Sequence, residues 1–353
     1  ILALTFGFTL MTTEIAIGRK TKLSPTRAYA KVHKKFGFIG PIAFIIPVII
    51  LPYYCVIGGW VTKYMAVFIS GQNEAAAETS FFSNFISQEY APLIFFFIFL
   101  ALTALIVVCG VEKGIENVSR VLMPVLIILA VVICIYVVLL PGSAAGLKYY
   151  LLPDFSKFSL KTVCAAMGQM FYSMSLAMGI MITYGSYTRD DVSMVKSVNQ
   201  IEIFDTGVAF LAGAMIIPAV YVFSGTEGMG AGPSLMFISL PKVFSAMGKA
   251  GTFVGILFFV TAIFATLSSC ISVLESITAN CMEIFHTSRK KTVLVLSVIY
   301  LAASAVIALG YSIFYVEVKL PNGSVGQLLD IMDYISNSVM MPFIALLSTI
   351  LIG

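Results

Sequence analysis

Residues 161–187 read KTVCAAMGQMFYSMSLAMGIMITYGSY. The stretch is long and apolar enough to cross a membrane, yet its middle, Ser173-Met174-Ser175-Leu176-Ala177-Met178-Gly179, is small and polar. Two hydroxyls, an Ala and a Gly stand where a plain span would carry Leu or Ile. Backbone that leaves the helix at membrane depth is tolerated only where it lines a cavity or is buried in protein. A span interrupted by Gly and Ser therefore points to a substrate or ion site of a secondary transporter. Small residues also let two helices approach closely in lipid. On these residues alone the two readings stay balanced.

The composition excludes a soluble domain. Of 353 residues, 59% are hydrophobic and 11% charged, with mean hydropathy +1.01. Soluble domains carry about 25% charged residues. The chain is an all-α polytopic membrane protein, organised by the bilayer. Its six Cys lie inside apolar runs and read as small packing residues. Two His without Cys/His spacing argue against a transition metal. Neither a P-loop nor a dinucleotide fingerprint occurs in a strand-helix context, so no nucleotide or nucleic-acid partner is expected.

Apolar windows of about 19 residues mark nine crossings, at 1–18, 38–70, 92–110, 118–141, 161–187, 198–224, 250–284, 293–315 and 326–352. Both ends are apolar, so the chain is expected to be a piece of a longer protein, forming a single transmembrane domain over 1–353. Between the first two spans lie Arg19, Lys20, Lys22, Arg27, Lys31, Lys34 and Lys35, with no acid. The next loop carries Glu74, Glu78 and Glu89 and no base. Placing 19–37 in the cytoplasm divides the 21 Lys and Arg about two to one in favour of that side. The basic loop 142–161 is the exception. Spans 38–70 and 250–284 exceed the bilayer and must tilt or project. Loop 225–249 pairs Gly225, Gly228, Gly230, Gly232 and Pro233 with an apolar run. It reads as a re-entrant or lid segment, or as a short interfacial helix.

Several polar residues stand inside spans, where ionisable groups are costly and usually functional. Glu14 either accepts backbone N–H groups from a broken neighbour or snorkels to water. Tyr53 and Tyr54 follow Pro52 deep in the second span, and a buried hydroxyl needs a partner. Gly114 to Pro124 reads as a loop with a Pro-started turn, or as a segment that can unwind. Asp205 is a cation ligand, with Ser173 and Gln169 as oxygen partners, or a helix N-cap. Ala265, Ser268 and Ser269 share one helix face and suit a weak monovalent-cation site, or serve as interhelical glue. Glu275 and Glu283 are further intramembrane or interface acids. Asp330 and Asp333, one turn apart, either favour a helix N-terminus or form an outer gate awaiting a basic partner on another helix.

Six segments in order give a specific resemblance. EIAIGR at 14–19, LPYYCVIGGW at 51–60, GQMFYSMSLAMGIMITYGSY at 168–187, DTGVAFLAG at 205–213, LSSCISVLE at 267–275 and LLDIMDY at 328–334 resemble the bacterial branch of the neurotransmitter:sodium symporter family. The resemblance implies a leucine-transporter-type inverted-repeat helix bundle, incomplete, with the nine spans matching helices two to ten. Span 161–187 is then one of the family's two broken helices, and the first helix, the other one, is expected to be missing. It implies that Tyr54 holds a substrate carboxylate and that Ile50, Tyr172, Ser175, Met178, Ser269 and Val273 form the side-chain pocket. Ser173 and Asp205 resemble ligands of the first sodium site; Ala265, Ser268 and Ser269 resemble those of the second. Gln169, Ser173 and Asp205 match the chloride site of chloride-dependent members, which carry an amide in place of Asp205. A fixed carboxylate there implies chloride independence. Glu14 and Tyr53, with Asp333 at the outer gate and Tyr187 and Glu283 at the inner, resemble gating residues. The implied activity is sodium-coupled amino-acid symport across the cell (inner) membrane, with sodium the coupling ion and no other cofactor. Met178 stands where an aromatic is frequent, which leaves the side-chain preference open; since Met is adaptable, large apolar or aromatic amino acids are the expectation. The alternative is a channel-like or receptor-like protein of the same fold, although no repeated polar face lines a pore. An intramembrane enzyme would need a nucleophile and base, and His33 and His286 lie in basic loops.

Overall fold

The computed structural model describes residues 2–109, 112–189, 191–225, 234–321 and 323–352. Backbone in lipid must bond within its own segment, so long apolar runs become helices. A π-turn at Ala3–Gly7 leads into α1 (Phe8–Thr21), followed by the short α2 (Pro25–Val32) and the long α3 (Ile39–Ile69). Two short helices, α4 (Asn73–Ala76) and α5 (Phe81–Ile86), precede α6 (Ala91–Cys109), α7 (Glu112–Val138) and α8 (Ser143–Leu151). Then come α9 (Leu160–Ser173), α10 (Ile180–Tyr187) and α11 (Met194–Ser224). After α12 (Ser234–Ala246) run α13 (Lys249–Phe285) and α14 (Arg289–Leu309). A small antiparallel hairpin of β1 (Val318–Lys319) and β2 (Val325–Gly326) leads to α15 (Leu328–Asp333), a π-helical stretch Tyr334–Met340 and α16 (Met341–Ile352).

Among the described residues, seven helical stretches are long and apolar enough to cross a membrane. The other two expected crossings are α1 with its π-turn, and the pair α9/α10, broken where the sequence turns small and polar. The structure decides among three local readings. The segment Gly114–Pro124 is helical throughout, because α7 starts at Glu112 and carries Pro124 inside it, so there is no loop ending in a Pro-started turn. The apolar half of loop 225–249 is α12, which buries Phe237, Leu240, Val243 and Phe244 and is too short to span. Its glycines at 228, 230 and 232, with Pro233, lie outside the described residues. For Asp330 the helix N-terminus reading fits: at the start of α15 its carboxylate accepts the Gln327 backbone N–H at 2.9 Å.

The centre of the bundle is α3 packed on α13, with α6 and α14 against α3. α12 closes one end of this core through a cluster in which Phe82 stacks on Phe237 at 5.4 Å and Trp60 meets Phe82 edge-on at 5.0 Å. At the other end α2 starts with Pro25 at its first turn, where the missing N–H costs no bond. It buries Pro25, Ala28 and Tyr29, and the Tyr29 hydroxyl pairs with Ser348 at 2.8 Å. Arg27 and Lys31 stay on its exposed face.

The contact that positions the site is between α1 and α10. Gly18 sits so close that a β-carbon there would lie 2.0 Å from the Ile182 carbonyl oxygen. Gly185 reciprocates, 2.5 Å from the Ile15 carbonyl oxygen by the same construction. Two backbones thus meet directly, the packing that small residues permit in a membrane. Gly18→Leu should force them apart and destabilise the protein by about 1–3 kcal/mol or more. We expect the purified full-length variant to melt several degrees below the parent in detergent; an unchanged melting point would show that α1 and α10 have room to separate.

Candidate functional site

The helix break is short and defined. α9 ends at Ser173, α10 starts at Ile180, and 174–179 between them is not helical. Gly179 adopts φ +77°, which glycine takes freely, and leads into α10. Ser175 at φ +54° and Ala177 at φ +60° are also left-handed. For residues with a β-carbon that conformation costs about 1–2 kcal/mol each, so something must hold it. The Ala177 N–H donates to Glu14 Oε1 at 2.9 Å. The Leu176 N–H turns back to the Phe171 carbonyl at 2.8 Å. On the far side, Thr183 donates both its N–H and its hydroxyl to the Gly179 carbonyl, each at 3.0 Å. Glu14 is fully buried, so it does not snorkel; it crosses from α1 to supply the acceptor that the missing turn no longer provides.

Against the break lies a cavity of about 370 Å³. All seven residues expected around a substrate line it: Ile50, Tyr54, Tyr172, Ser175, Met178, Ser269 and Val273. Ser173 and Ser268 line it too. Part of the lining is hydroxylic, since Tyr54 meets Ser269 and Tyr184 donates to Ser272 at 2.7 Å. Ile50, Met178, Ile180, Met181 and Val273 add an apolar share to the lining. Ile180, Met181, Tyr184 and Ser272 are additions to the expected set. Ser272 is within reach of the sequence, because it continues the face of Ser268 and Ser269 one turn on. Tyr184 and Met181 become pocket residues only because α10 restarts at Ile180.

The two expected cation clusters flank this cavity. Ser173 donates its hydroxyl to Asp205 Oδ1 at 2.7 Å. Asp205 lies well inside α11, which begins at Met194, so it is not an N-cap. Gln169 sits one turn before Ser173 on α9 and is exposed. On α13 the Ala265 carbonyl accepts from Ser268 at 2.8 Å and from Ser269 at 3.3 Å. Among the described residues no cluster of His, Cys, Asp or Glu suits a transition metal. Carboxylate, hydroxyl and carbonyl oxygens of this kind suit a hard monovalent cation.

Both mouths of the site carry polar networks. At the end near α15, Tyr53 is buried and shares a 3.4 Å contact with the Ser336 hydroxyl. Asp333 accepts from Asn337 at 2.6 Å and lies within reach of the Tyr53 hydroxyl, which in turn neighbours Tyr172. At the end bearing loop 19–37, Tyr187 and Glu283 fall in two separate clusters. Glu283 accepts the Ser24 N–H at 2.8 Å and faces Arg27 at 3.6 Å. Tyr187 donates to Glu275 at 3.3 Å, and Arg289 grips the same carboxylate through two bonds of 2.7 Å. The Glu275–Arg289 pair is not among the sequence expectations. Glu275 stands out as an acid in a span, but its partner reads only as a loop charge.

A sequence profile of the Sodium:neurotransmitter symporter family matches residues 82–353. An uncharacterized sodium-dependent transporter of Methanocaldococcus jannaschii is 29% identical over 362 residues, spanning 98% of this chain and 71% of the relative. The uncharacterized sodium-dependent transporter YhdH of Bacillus subtilis is 31% identical over 354 residues, spanning 98% of this chain and 76% of its own length. Human sodium- and chloride-dependent creatine transporter 1 is 28% identical over 172 residues, which is 45% of this chain and 27% of that protein. Among solved structures, the crystal structure of MhsT in complex with L-phenylalanine superposes with a TM-score of 0.92 at 32% identity, covering 100% of this chain and 80% of that one. With most of its length matched by the family's profile and its helices overlaying a relative so closely, the chain belongs to the sodium:neurotransmitter symporter family, as a multi-pass, sodium-dependent transporter of the leucine-transporter fold and not an enzyme.

Proposed function

We propose that this transporter is a sodium-coupled symporter of large apolar or aromatic amino acids, working by alternating access and without chloride. The observation that carries the reading is the cavity at the helix break, whose lining combines hydroxyl groups with apolar side chains. An amino acid of this class likewise combines polar and apolar parts. Tyr54 donates to the substrate carboxylate, beside backbone freed at 174–179, while Ile50, Met178 and Val273 enclose the side chain. A cavity of about 370 Å³ falls in the range of small-molecule sites and leaves room for a large side chain. The L-phenylalanine held by the structurally similar MhsT supports the same class.

Sodium binds on two flanks. Asp205 and Ser173 take one ion with the end of α9, and the Ala265 carbonyl with the hydroxyls of Ser268 and Ser269 takes a second. Coupling requires that the ions favour one conformation over the other. Ser173 supplies that link, because it sits at the last turn before the break and lines the substrate cavity. Asp205 carries a fixed negative charge beside Ser173, so no chloride is needed to balance the sodium. The network of Tyr53 and Asp333 closes the outer mouth. The Ser24–Glu283 contact and the Arg289–Glu275–Tyr187 cluster close the inner one, with loop 19–37 in the cytoplasm and the protein in the cell membrane.

Three measurements on the full-length protein in proteoliposomes test this reading. Uptake of labelled L-phenylalanine should depend on an inward sodium gradient and persist when chloride is replaced by gluconate. Uptake undiminished when choline replaces sodium would remove the coupling. Asp205→Asn should weaken sodium activation by at least about tenfold, which is 1.4 kcal/mol, or create a chloride requirement; neither change would sink the charge-substitution idea. Tyr54→Phe removes one hydrogen bond to a charged group, worth about 1.5–3 kcal/mol. Its KM should rise by about 10- to 100-fold while the thermal midpoint stays near the parent's, and an unchanged KM would place the carboxylate elsewhere.

A further inference from the structure

We propose that Cys55 and Cys270 are an oxidisable dithiol directly behind the binding cavity, and that its closure to a disulfide ties α3 to α13 and displaces the Tyr54–Ser269 wall. The two Sγ atoms stand 3.8 Å apart, and both side chains are fully buried. The other four cysteines are exposed or partly so. Each member of the pair directly follows a cavity residue, Cys55 after Tyr54 and Cys270 after Ser269.

Packing accounts for one small buried residue on either helix. It does not require that two thiols from different helices meet sulfur to sulfur. A disulfide has an S–S length of about 2.05 Å, so the sulfurs need to close by less than about 2 Å. Burial ordinarily makes a cysteine inert. Tyr54 and Ser269, the residues directly before Cys55 and Cys270, line the cavity, and a water-sized solute entering from it would have to pass between α3 and α13 to reach the sulfurs. Hydrogen peroxide is such a solute. One thiol sulfur attacks a peroxide oxygen; the O–O bond breaks, a sulfenic acid forms and one water leaves. The second thiol sulfur then displaces the sulfenic hydroxyl, the S–S bond forms and a second water leaves. Two thiols lose two electrons, and the peroxide takes them.

The covalent bond draws residues 55 and 270 together, and Tyr54 and Ser269 move with them. Ligand affinity then falls while the polar networks at both mouths stay untouched, and reduction reverses the change. The functional half of this proposal rests on the transport reading above; the chemical half does not.

The test treats the full-length protein in proteoliposomes with hydrogen peroxide, with and without later dithiothreitol. Mass spectrometry of the unreduced digest should find the peptides containing residues 55 and 270 joined with the loss of two hydrogens, and the link should vanish on reduction. Labelled-substrate uptake should show at least about a threefold rise in KM that dithiothreitol reverses. Cys55→Ser and Cys270→Ser should each show no peroxide effect relative to their own untreated uptake. If both thiols remain alkylatable at peroxide doses that oxidise the exposed Cys109 and Cys164, the dithiol is overturned, whatever the protein transports. A linked peptide with unchanged KM overturns the effect on the wall. The linked peptide is read in the parent protein, so it stands even if a variant fails to fold.

Discussion

A single backbone N–H organises this molecule. When the span at 161–187 leaves the helix at Met174, the Ala177 amide loses its intrahelical acceptor in a place where water is not at hand. An unpaired amide there costs several kcal/mol. Glu14 meets that need from another helix at 2.9 Å. The side chain must be buried to reach it, and the amide supplies a donor to one of its two oxygens, which lowers the cost of that burial. Each half of the bond therefore explains the other. The broken helix needs a buried acid, and the buried acid needs a broken helix.

The rest of the local architecture follows from keeping that bond short. Glu14 reaches the break only if α1 lies flat against α10, so glycine occupies the crossing on both sides, at Gly18 and Gly185. α1 is pinned at its end by Lys22, whose ammonium donates to the Thr188 carbonyl at 2.7 Å just past α10. Pro25, opening α2, packs so close to Gly179 that a β-carbon there would fall 2.6 Å from its ring. The break is thus clamped on two sides, and its left-handed residues hold their conformation through contacts made elsewhere. What remains open is the third side, and the cavity lies there.

Much of this is legible in residue order. The small, polar run 173–179 marks the break to within a residue of where α9 ends and α10 begins. Tyr54, Ser269 and Met178, each ambiguous alone, line one cavity, as the family resemblance implies. Other features depend on geometry that a linear reading does not carry. The depth of Asp205 follows only from where α11 begins, at Met194. Glu275 and Arg289 meet because α13 and α14 fold back on each other, a contact with no short-range signature. The start of α7 departs from expectation because the helix runs on beyond the apolar window, from Glu112 through Gly114, and carries Pro124 inside it. Asp330 and Asp333 share a spacing but not a role, since one caps a helix and the other faces a tyrosine.

The length of α13 has a mechanical meaning. At 1.5 Å per residue its 37 residues make a rod of roughly 55 Å, nearly twice the hydrocarbon thickness. Along it stand the contact with α12, the Ala265–Ser269 oxygens, Val273, Glu275 and Glu283. No proline interrupts it. Stations on an unbroken rod keep fixed distances, so α13 behaves as a surveyor's datum for the whole molecule. One continuous helix thus ties the lining of the cavity to the polar contacts beyond it.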